Sequence, residues 1–266
     1  QGLPMWRRLT PLFLAPLLIA SPVVARHVQP LDDGWVRFEM AAAGRPLAAV
    51  MPSKVGEARP LVVVIEGDGD GHDRHGLPTS DPTPRRAVGL QIAQAWPGGA
   101  AWLARPCQFV EDPLCVPDDW TRRRFAPEAL AQINAGLDGL KARSGAATLV
   151  LVGWSGGGVM AALAAQSRDD VAGLVTIAAP LDLAGWTRSR GLSRLDGLDP
   201  AILPAPAIPQ VHVLGSFDPV VRPVAVRETA RRWAGPSGQV LTWPERHDCC
   251  WDRRLQEIDR RLRAQF

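Results

Sequence analysis

The stretch 149–158 constrains the fold of this chain more than any other part of its sequence. An apolar run of leucine and valine at 149–152 leads directly into Gly153-Trp154-Ser155-Gly156-Gly157, and small or helix-forming residues follow to Gln166. A strand, a sharp turn and a helix in this order are the context in which Gly-x-Ser-x-Gly forms a nucleophile elbow. We therefore predict a buried strand, a strained turn at Ser155 and a helix directly after it.

Such a turn strains the backbone at its serine, so the residues two before and two after must be very small. Gly153 and Gly157 meet this requirement. The hydroxyl of Ser155 would then stand at the N-terminus of a helix, where the amide of Gly156 can face a developing oxyanion. The sequence predicts Ser155 as a nucleophile and Gly156 as an oxyanion donor.

A serine nucleophile needs a base to take its proton and an acid to orient that base. On sheets of this type the acid and then the base follow the serine in the chain, each just past the end of a strand. Asp218 and His247 each follow an apolar, strand-like run. We predict a triad of Ser155, His247 and Asp218, with Asp182, after the preceding strand, as the alternative acid. His212 is a poorer base because it lies within a predicted strand.

The second oxyanion donor on such a sheet comes from the loop after the third strand. Here that loop begins Glu66-Gly67-Asp68-Gly69, where two glycines permit close approach of the backbone. We predict the amide of Asp68 as the second donor beside Gly156. The side chain of Asp68 should then point away from the developing negative charge.

The same loop is rich in groups that can bind metals, namely Asp68, Asp70, His72, Asp73 and His75. Its glycine does not stand where a calcium-binding EF-hand loop requires one, and the zinc-protease pattern is absent. We therefore predict a solvated polar loop, with no metal and no cofactor.

Aromatic side chains are frequent in the loops around the predicted site. Trp154, Phe217 and Trp251, together with Trp120 and Trp186, could line an apolar or aromatic substrate pocket. Core packing is the alternative role for each of them.

Strand-like and helix-like segments alternate from residue 61 to the C-terminus, which predicts an α/β fold with a mostly parallel sheet covered by helices on both faces. With 266 residues, 46% of them apolar, residues 26–266 fit a single domain. The proline-rich stretch 181–209 is predicted to be irregular and is the one candidate for a short lid-like insertion.

The N-terminal segment 1–25 has the pattern of a cleaved secretory signal peptide. Its apolar part follows two arginines, is interrupted by Pro11 and Pro16 and is too short for a membrane span, and small residues lead to a cleavage site after Ala25. We expect export to the periplasm or the medium, with no stable membrane span after cleavage; a retained anchor is the alternative.

Four cysteines in an exported chain indicate disulfides. The local option joins Cys107 to Cys115, and the alternative cross-links this loop to the adjacent pair Cys249 and Cys250. A bridge between Cys249 and Cys250 themselves would be unusual.

The formal net charge of +3 is too small for a nucleic-acid partner, and basic residues do not alternate with aromatic ones. The partner that we expect is a small-molecule or lipid-like ester, and no particular oligomeric state is predicted.

With the serine turn, Asp218 and His247 in this order, about residues 35–266 resemble the α/β-hydrolase superfamily. The chain also resembles a little-characterised group of exported bacterial α/β-hydrolases, through Ile65–Gly69, Arg105–Gln108, Cys115, Trp120 and His247–Trp251. The resemblance implies an eight-stranded central sheet and the hydrolysis of an ester, thioester or amide through an acyl-enzyme. It implies no particular substrate.

The function predicted from the sequence is thus that of a serine hydrolase acting on a carboxylic ester or thioester. A peptidase or an acyltransferase could use the same triad. Two alternatives of other classes are a non-catalytic binding protein on a hydrolase scaffold and a thiol or metal protein built on His247, Cys249 and Cys250.

Overall fold

The computed structural model describes residues 31–54 and 60–266, so the signal peptide expected at 1–25 lies outside the described residues. Its strands are β1 (Trp35–Ala42), β2 (Arg45–Pro52), β3 (Leu61–Ile65), β4 (Ala101–Leu103), β5 (Leu149–Trp154), β6 (Val171–Ile177), β7 (Gln210–Gly215) and β8 (Gln239–Trp243). They form one sheet in the order β1-β2-β4-β3-β5-β6-β7-β8. β2 runs antiparallel to β1 and β4, and all other neighbours are parallel. The mostly parallel, eight-stranded sheet is therefore confirmed.

Helices cover both faces of this sheet. They are α1 (Val88–Ala95), α2 (Pro117–Trp120), α3 (Pro127–Ser144), α4 (Gly156–Ser167), α5 (Leu183–Arg190), α6 (Pro223–Ala234) and α7 (Leu255–Arg263). One apolar core joins the sheet to α3, α4 and α6, and a second core on the opposite face joins it to α1 and α7. None of the helices in the described ranges is long and apolar enough to cross a bilayer.

The centre of the sheet explains why β3 and β5 are continuous apolar runs. β3 lies between β4 and β5, and all six residues of β5 are buried. A parallel strand with helices on both faces buries side chains on both faces, so the alternation of polar and apolar residues disappears. The helix α4 is buried for the same reason along most of its length, because it crosses the centre of the sheet.

The segment 181–209, predicted to be irregular, contains one α-helix, α5, and a short 3-10 helix at Pro200–Ile202. The Asp182 carboxylate caps α5 by accepting a hydrogen bond from Gly185 N at 2.6 Å, and Gly191 ends it with φ of +64°. These two terminal residues were the available signal. Within α5 the apolar periodicity is weak, since polar residues predominate after Trp186.

Both cystine bridges are local. Cys107 pairs with Cys115, with their Cα atoms 5.9 Å apart, and Cys249 pairs with Cys250. The alternative in which the 107–115 loop is cross-linked to the Cys249 and Cys250 pair is therefore not the arrangement found, and the unusual bridge is present instead.

His212 is fully buried within β7 and forms two hydrogen bonds. Its Nδ1 lies 2.8 Å from Thr176 Oγ1, and its Nε2 lies 3.1 Å from Gln210 Oε1. Gln210 Nε2 donates to Pro206 O, so the amide oxygen faces the imidazole as an acceptor. This acceptor assigns a proton to Nε2, and the Thr176 hydroxyl can then donate to the unprotonated Nδ1. Burial lowers the pKa of His212 from 6.5 to about 3.

This buried histidine should make stability depend on pH. Between about pH 6.5 and pH 3, His212 binds a proton in the unfolded chain but not in the folded protein. The free energy of unfolding therefore falls as the pH falls. We expect His212 alone to contribute a slope of up to about 1.4 kcal/mol per pH unit to the free energy of unfolding. Urea unfolding of wild type and His212→Gln at pH 7 and pH 4.5 measures this contribution. The exposed His72→Gln provides the control, and equal pH slopes for His212→Gln and wild type would contradict the prediction.

Candidate active site

Ser155 lies at the junction between β5 and α4, with φ of +54° and ψ of −126°. Residues other than glycine rarely adopt this backbone conformation. The neighbouring glycines permit it. An ideal Cβ on Gly153 would lie 2.2 Å from Gly157 O, and one on Gly157 would lie 2.1 Å from Ile65 O. A side chain at Gly153 would clash with the backbone of the turn, and one at Gly157 would clash with the end of β3.

His247 bridges Ser155 and Asp218. His247 Nε2 lies 3.0 Å from Ser155 Oγ, and His247 Nδ1 lies 2.7 Å from Asp218 Oδ2. The other carboxylate oxygen of Asp218 accepts hydrogen bonds from the amides of Val220 and Val221 at 2.7 and 2.8 Å. The Asp218 side chain is 0% exposed, so water cannot replace His247 as its partner.

Asp182, the alternative acid, has a different position. Its carboxylate caps α5, whereas the carboxylate in contact with His247 belongs to Asp218. The structure therefore brings together Ser155, His247 and Asp218, and Asp182 stabilises a helix N-terminus instead.

The main chain of His247 is held by two indoles. Trp154 Nε1 and Trp251 Nε1 both donate to His247 O at 2.9 Å. The Trp154 ring also packs against the His247 imidazole, with ring centroids 5.1 Å apart. Trp251 is buried in this supporting position, whereas Phe217, also expected near the pocket, is 66% exposed on the β7–α6 loop.

Glu66 anchors the loop that follows β3. It is fully buried, and its carboxylate accepts hydrogen bonds from Gly67 N, Gly89 N, Leu90 N and Trp102 Nε1 at 2.9–3.1 Å. Burial raises the pKa of Glu66, and these four hydrogen bonds oppose part of that rise. The carboxylate thus ties the loop to the N-terminus of α1 and to β4.

The next residues of this loop contact the serine turn. An ideal Cβ on Gly67 would lie 3.4 Å from Ser155 Cβ, and one on Gly156 would lie 1.9 Å from Asp68 Oδ1. Gly156 is the first residue of α4, so its amide has no partner within the helix. The segments expected to supply the two oxyanion donors are therefore adjacent.

Asp68 is paired with two arginines that the sequence analysis did not assign to the site. Arg105 Nη1 lies 3.0 Å from Asp68 Oδ1, and Arg124 Nε lies 2.9 Å from Asp68 Oδ2. Gln108 Nε2 donates to Gly67 O at 3.0 Å and holds the preceding residue. The only available signal was the Arg105–Gln108 segment, which was noted for its resemblance and not for a role.

A cavity of about 620 Å³ opens beside Asp68. This volume is typical of sites for small organic ligands. Trp120 and Trp186, two of the aromatic residues expected near the site, line it together with Leu192, Leu195 and Arg124. Neither Trp251 nor Phe217 borders this cavity.

Most polar side chains of the 68–75 loop bind other residues of this loop or residues shortly after it. Asp70 pairs with Arg85 at 3.0 Å, and Asp73 Oδ1 accepts hydrogen bonds from His75 N and Leu77 N. Across the described part of the chain, the one close cluster of three potential metal ligands is Cys107, Cys115 and Asp119. Both of its sulfur atoms are consumed by the disulfide, which removes the thiolates that a metal would require.

No family model matches the sequence, and no curated protein matches it. Solved structures do resemble it. An esterase of Pyrococcus furiosus has a TM-score of 0.61 and 13% identity over 90% of this chain and 96% of its own. An α/β serine hydrolase homologue of Coxiella burnetii has a TM-score of 0.56 and 17% identity over 89% of this chain and 99% of its own.

A puromycin hydrolase has a TM-score of 0.58 and 21% identity over 91% of this chain, which corresponds to 40% of the hydrolase. At these identities the likeness concerns the fold. The chain therefore has the α/β-hydrolase fold, as its sheet order and its strand–turn–helix at Ser155 already indicate.

Proposed function

We propose that the protein is a serine hydrolase that cleaves a carboxylic ester or thioester through an acyl-enzyme. The observation that carries the proposal is the continuous chain of hydrogen bonds from Asp218 through His247 to Ser155 Oγ. A non-catalytic binding protein would not require this alignment, nor the strained backbone at Ser155.

In the proposed mechanism, His247 Nε2 takes the proton of Ser155 as Oγ attacks the acyl carbon. Asp218 accepts the Nδ1–H hydrogen bond, which selects the tautomer with a free Nε2 and stabilises the imidazolium. The amides of Gly156 and Asp68 bind the oxyanion. His247 then protonates the leaving alcohol or thiol, and in the second half activates the water that releases the acid.

The cavity beside Asp68 suits the apolar or aromatic part of such an ester, because Trp120 and Trp186 form two of its walls. We place this site outside the cytoplasm, since two disulfides are consistent with an oxidising compartment.

Labelling with a fluorophosphonate probe tests the proposed function. We expect wild-type protein to bind one probe molecule on Ser155, and to release p-nitrophenol from p-nitrophenyl butyrate with a transient acyl adduct visible by mass spectrometry. Ser155→Ala should do neither, while the control Ser167→Ala, at the far end of α4, should behave as wild type.

Unlabelled wild type would indicate a binding protein and contradict the proposal. Hydrolysis of peptides but not of esters would indicate a peptidase, and transfer of the acyl group to an added alcohol in preference to water would indicate an acyltransferase. Either result would contradict the ester hydrolase.

A further inference from the structure

The carboxylate of Asp68 lies close to the place where the proposed mechanism develops negative charge. Its Oδ1 rests against the bare α carbon of Gly156, because an ideal Cβ there would lie only 1.9 Å away. Gly156 N–H is the proposed first oxyanion donor. An isolated carboxylate at this position would repel the tetrahedral oxyanion and slow the reaction.

Each oxygen of the Asp68 carboxylate is paired with a guanidinium group. Arg105 Nη1 donates a hydrogen bond to Oδ1, and Arg124 Nε forms an ion pair with Oδ2. The Arg105 side chain is 4% exposed and that of Arg124 is 11% exposed, so water screens neither pair strongly. Arg105 also donates to Arg124 O and lies over the Phe125 ring, 5.0 Å from its centroid. These contacts leave the guanidinium of Arg105 little freedom to move.

Together, one carboxylate and two guanidinium groups give this cluster a net charge of +1 beside the proposed oxyanion site. Burial lowers the pKa of Arg105, and the neighbouring Asp68 opposes that effect. An arginine nonetheless keeps its proton in a protein. A cation this deeply buried is costly without a partner, and Asp68 supplies that partner.

We propose that Arg105 is a positioning residue for the hydrolytic reaction: it fixes the Asp68 segment against the serine turn and, because Arg124 already balances the Asp68 carboxylate, raises the local charge from neutral to +1, which favours the oxyanion. The proposal rests on the proposed function and deepens it. It explains how an aspartate can occupy an oxyanion loop, and it assigns a role to an arginine whose side-chain hydrogen bonds, in the described part of the chain, go to Asp68 and to Arg124 O.

A double-mutant cycle tests this inference. We expect Arg105→Met to lower kcat for p-nitrophenyl butyrate by about 10²-fold and to change KM by less than about threefold. In an Asp68→Asn background, which keeps the amide donor but removes the negative charge, Arg105→Met should lower kcat by less than about tenfold. Equal losses in both backgrounds, or a rise in KM with kcat unchanged, would overturn the proposal.

Inhibition by an alkylboronic acid distinguishes this role from a merely structural one, which would leave the inhibition constant unchanged. Boronates form an anionic tetrahedral adduct on the serine, so Arg105→Met should weaken inhibition by about the same factor as it lowers kcat. Arg105→Lys should restore most of both quantities. Arg85→Met removes the exposed pair with Asp70 in the same loop and should change neither quantity.

If Arg105→Met does not fold, Arg105→Gln carries the same cycle, since it removes the positive charge at the same position and keeps an amide donor for Asp68. Failure of the proposed function is distinguishable from failure of this inference. The first appears as undiminished ester hydrolysis by Ser155→Ala. The second appears as equal losses in both backgrounds in a protein whose Ser155→Ala variant is inactive.

Discussion

Replacing Ser155 by alanine is expected to lower kcat/KM for ester hydrolysis by 10⁴-fold to 10⁶-fold, on the order found for serine hydrolase triads. The alanine removes the nucleophile and leaves His247 without the hydroxyl that now lies 3.0 Å from its Nε2. His247→Ala should cost a similar factor, because an alcohol without a base is a poor nucleophile at neutral pH. Little change in KM is expected, since neither side chain lines the cavity beside Asp68.

The double variant Ser155→Ala/His247→Ala gives the sharper test. Groups that act as one unit are not additive, so the double variant should be about as active as either single variant. Steady-state hydrolysis of p-nitrophenyl butyrate measures all three, and thermal unfolding verifies that each is folded. Losses that multiply in the double variant would mean that Ser155 and His247 act independently, contrary to the hydrogen bond between them.

Asp218→Asn should lower kcat by about 10⁴-fold. The amides of Val220 and Val221 require an acceptor, so the new amide oxygen will occupy the position of Oδ1. The amide NH₂ then faces His247 Nδ1 and donates to it. This forces the proton onto Nε2, the nitrogen that must accept the proton of Ser155.

Asp182→Asn is the matched control, because Asp182 is the other acid that the sequence allows. Asparagine is also a good N-cap, so this variant should change the free energy of unfolding by less than about 1 kcal/mol and kcat by less than about threefold. Initial rates and urea unfolding of both variants settle the assignment. An active Asp218→Asn with an inactive Asp182→Asn would reverse it.

The sequence was informative where structure depends on neighbouring residues. The strand–turn–helix around Ser155 follows from an apolar run, two obligatory glycines and a helix-forming segment, all within about 20 residues. The run 61–65 is apolar throughout and lies between Pro60 and Gly67, and these signals mark the buried strand β3 in the sequence. Asp218 and His247 could be selected because each follows a strand of a parallel sheet, whose carboxyl ends meet at one edge.

Helix α5 could not be predicted from its own residues. Its eight residues include Thr187, Arg188, Ser189 and Arg190, so no apolar stripe distinguishes them from a loop. The helix is stabilised from outside, by hydrogen bonds from Leu183 N and Ala184 N to the Asp199 carboxylate and from Trp186 Nε1 to Val220 O. Tertiary contacts of this kind override a weak local preference.

The sequence by itself thus determined the sheet, the turn at Ser155 and the candidates for the base and the acid. Only the tertiary structure decided which carboxylate meets His247, that two indoles hold the main chain of His247, and that Arg105 and Arg124 enclose Asp68. The physical reason is distance along the chain. Arg105 lies 37 residues from Asp68, and Trp154 lies 93 from His247, so these partners meet only because the sheet order brings their strand ends together.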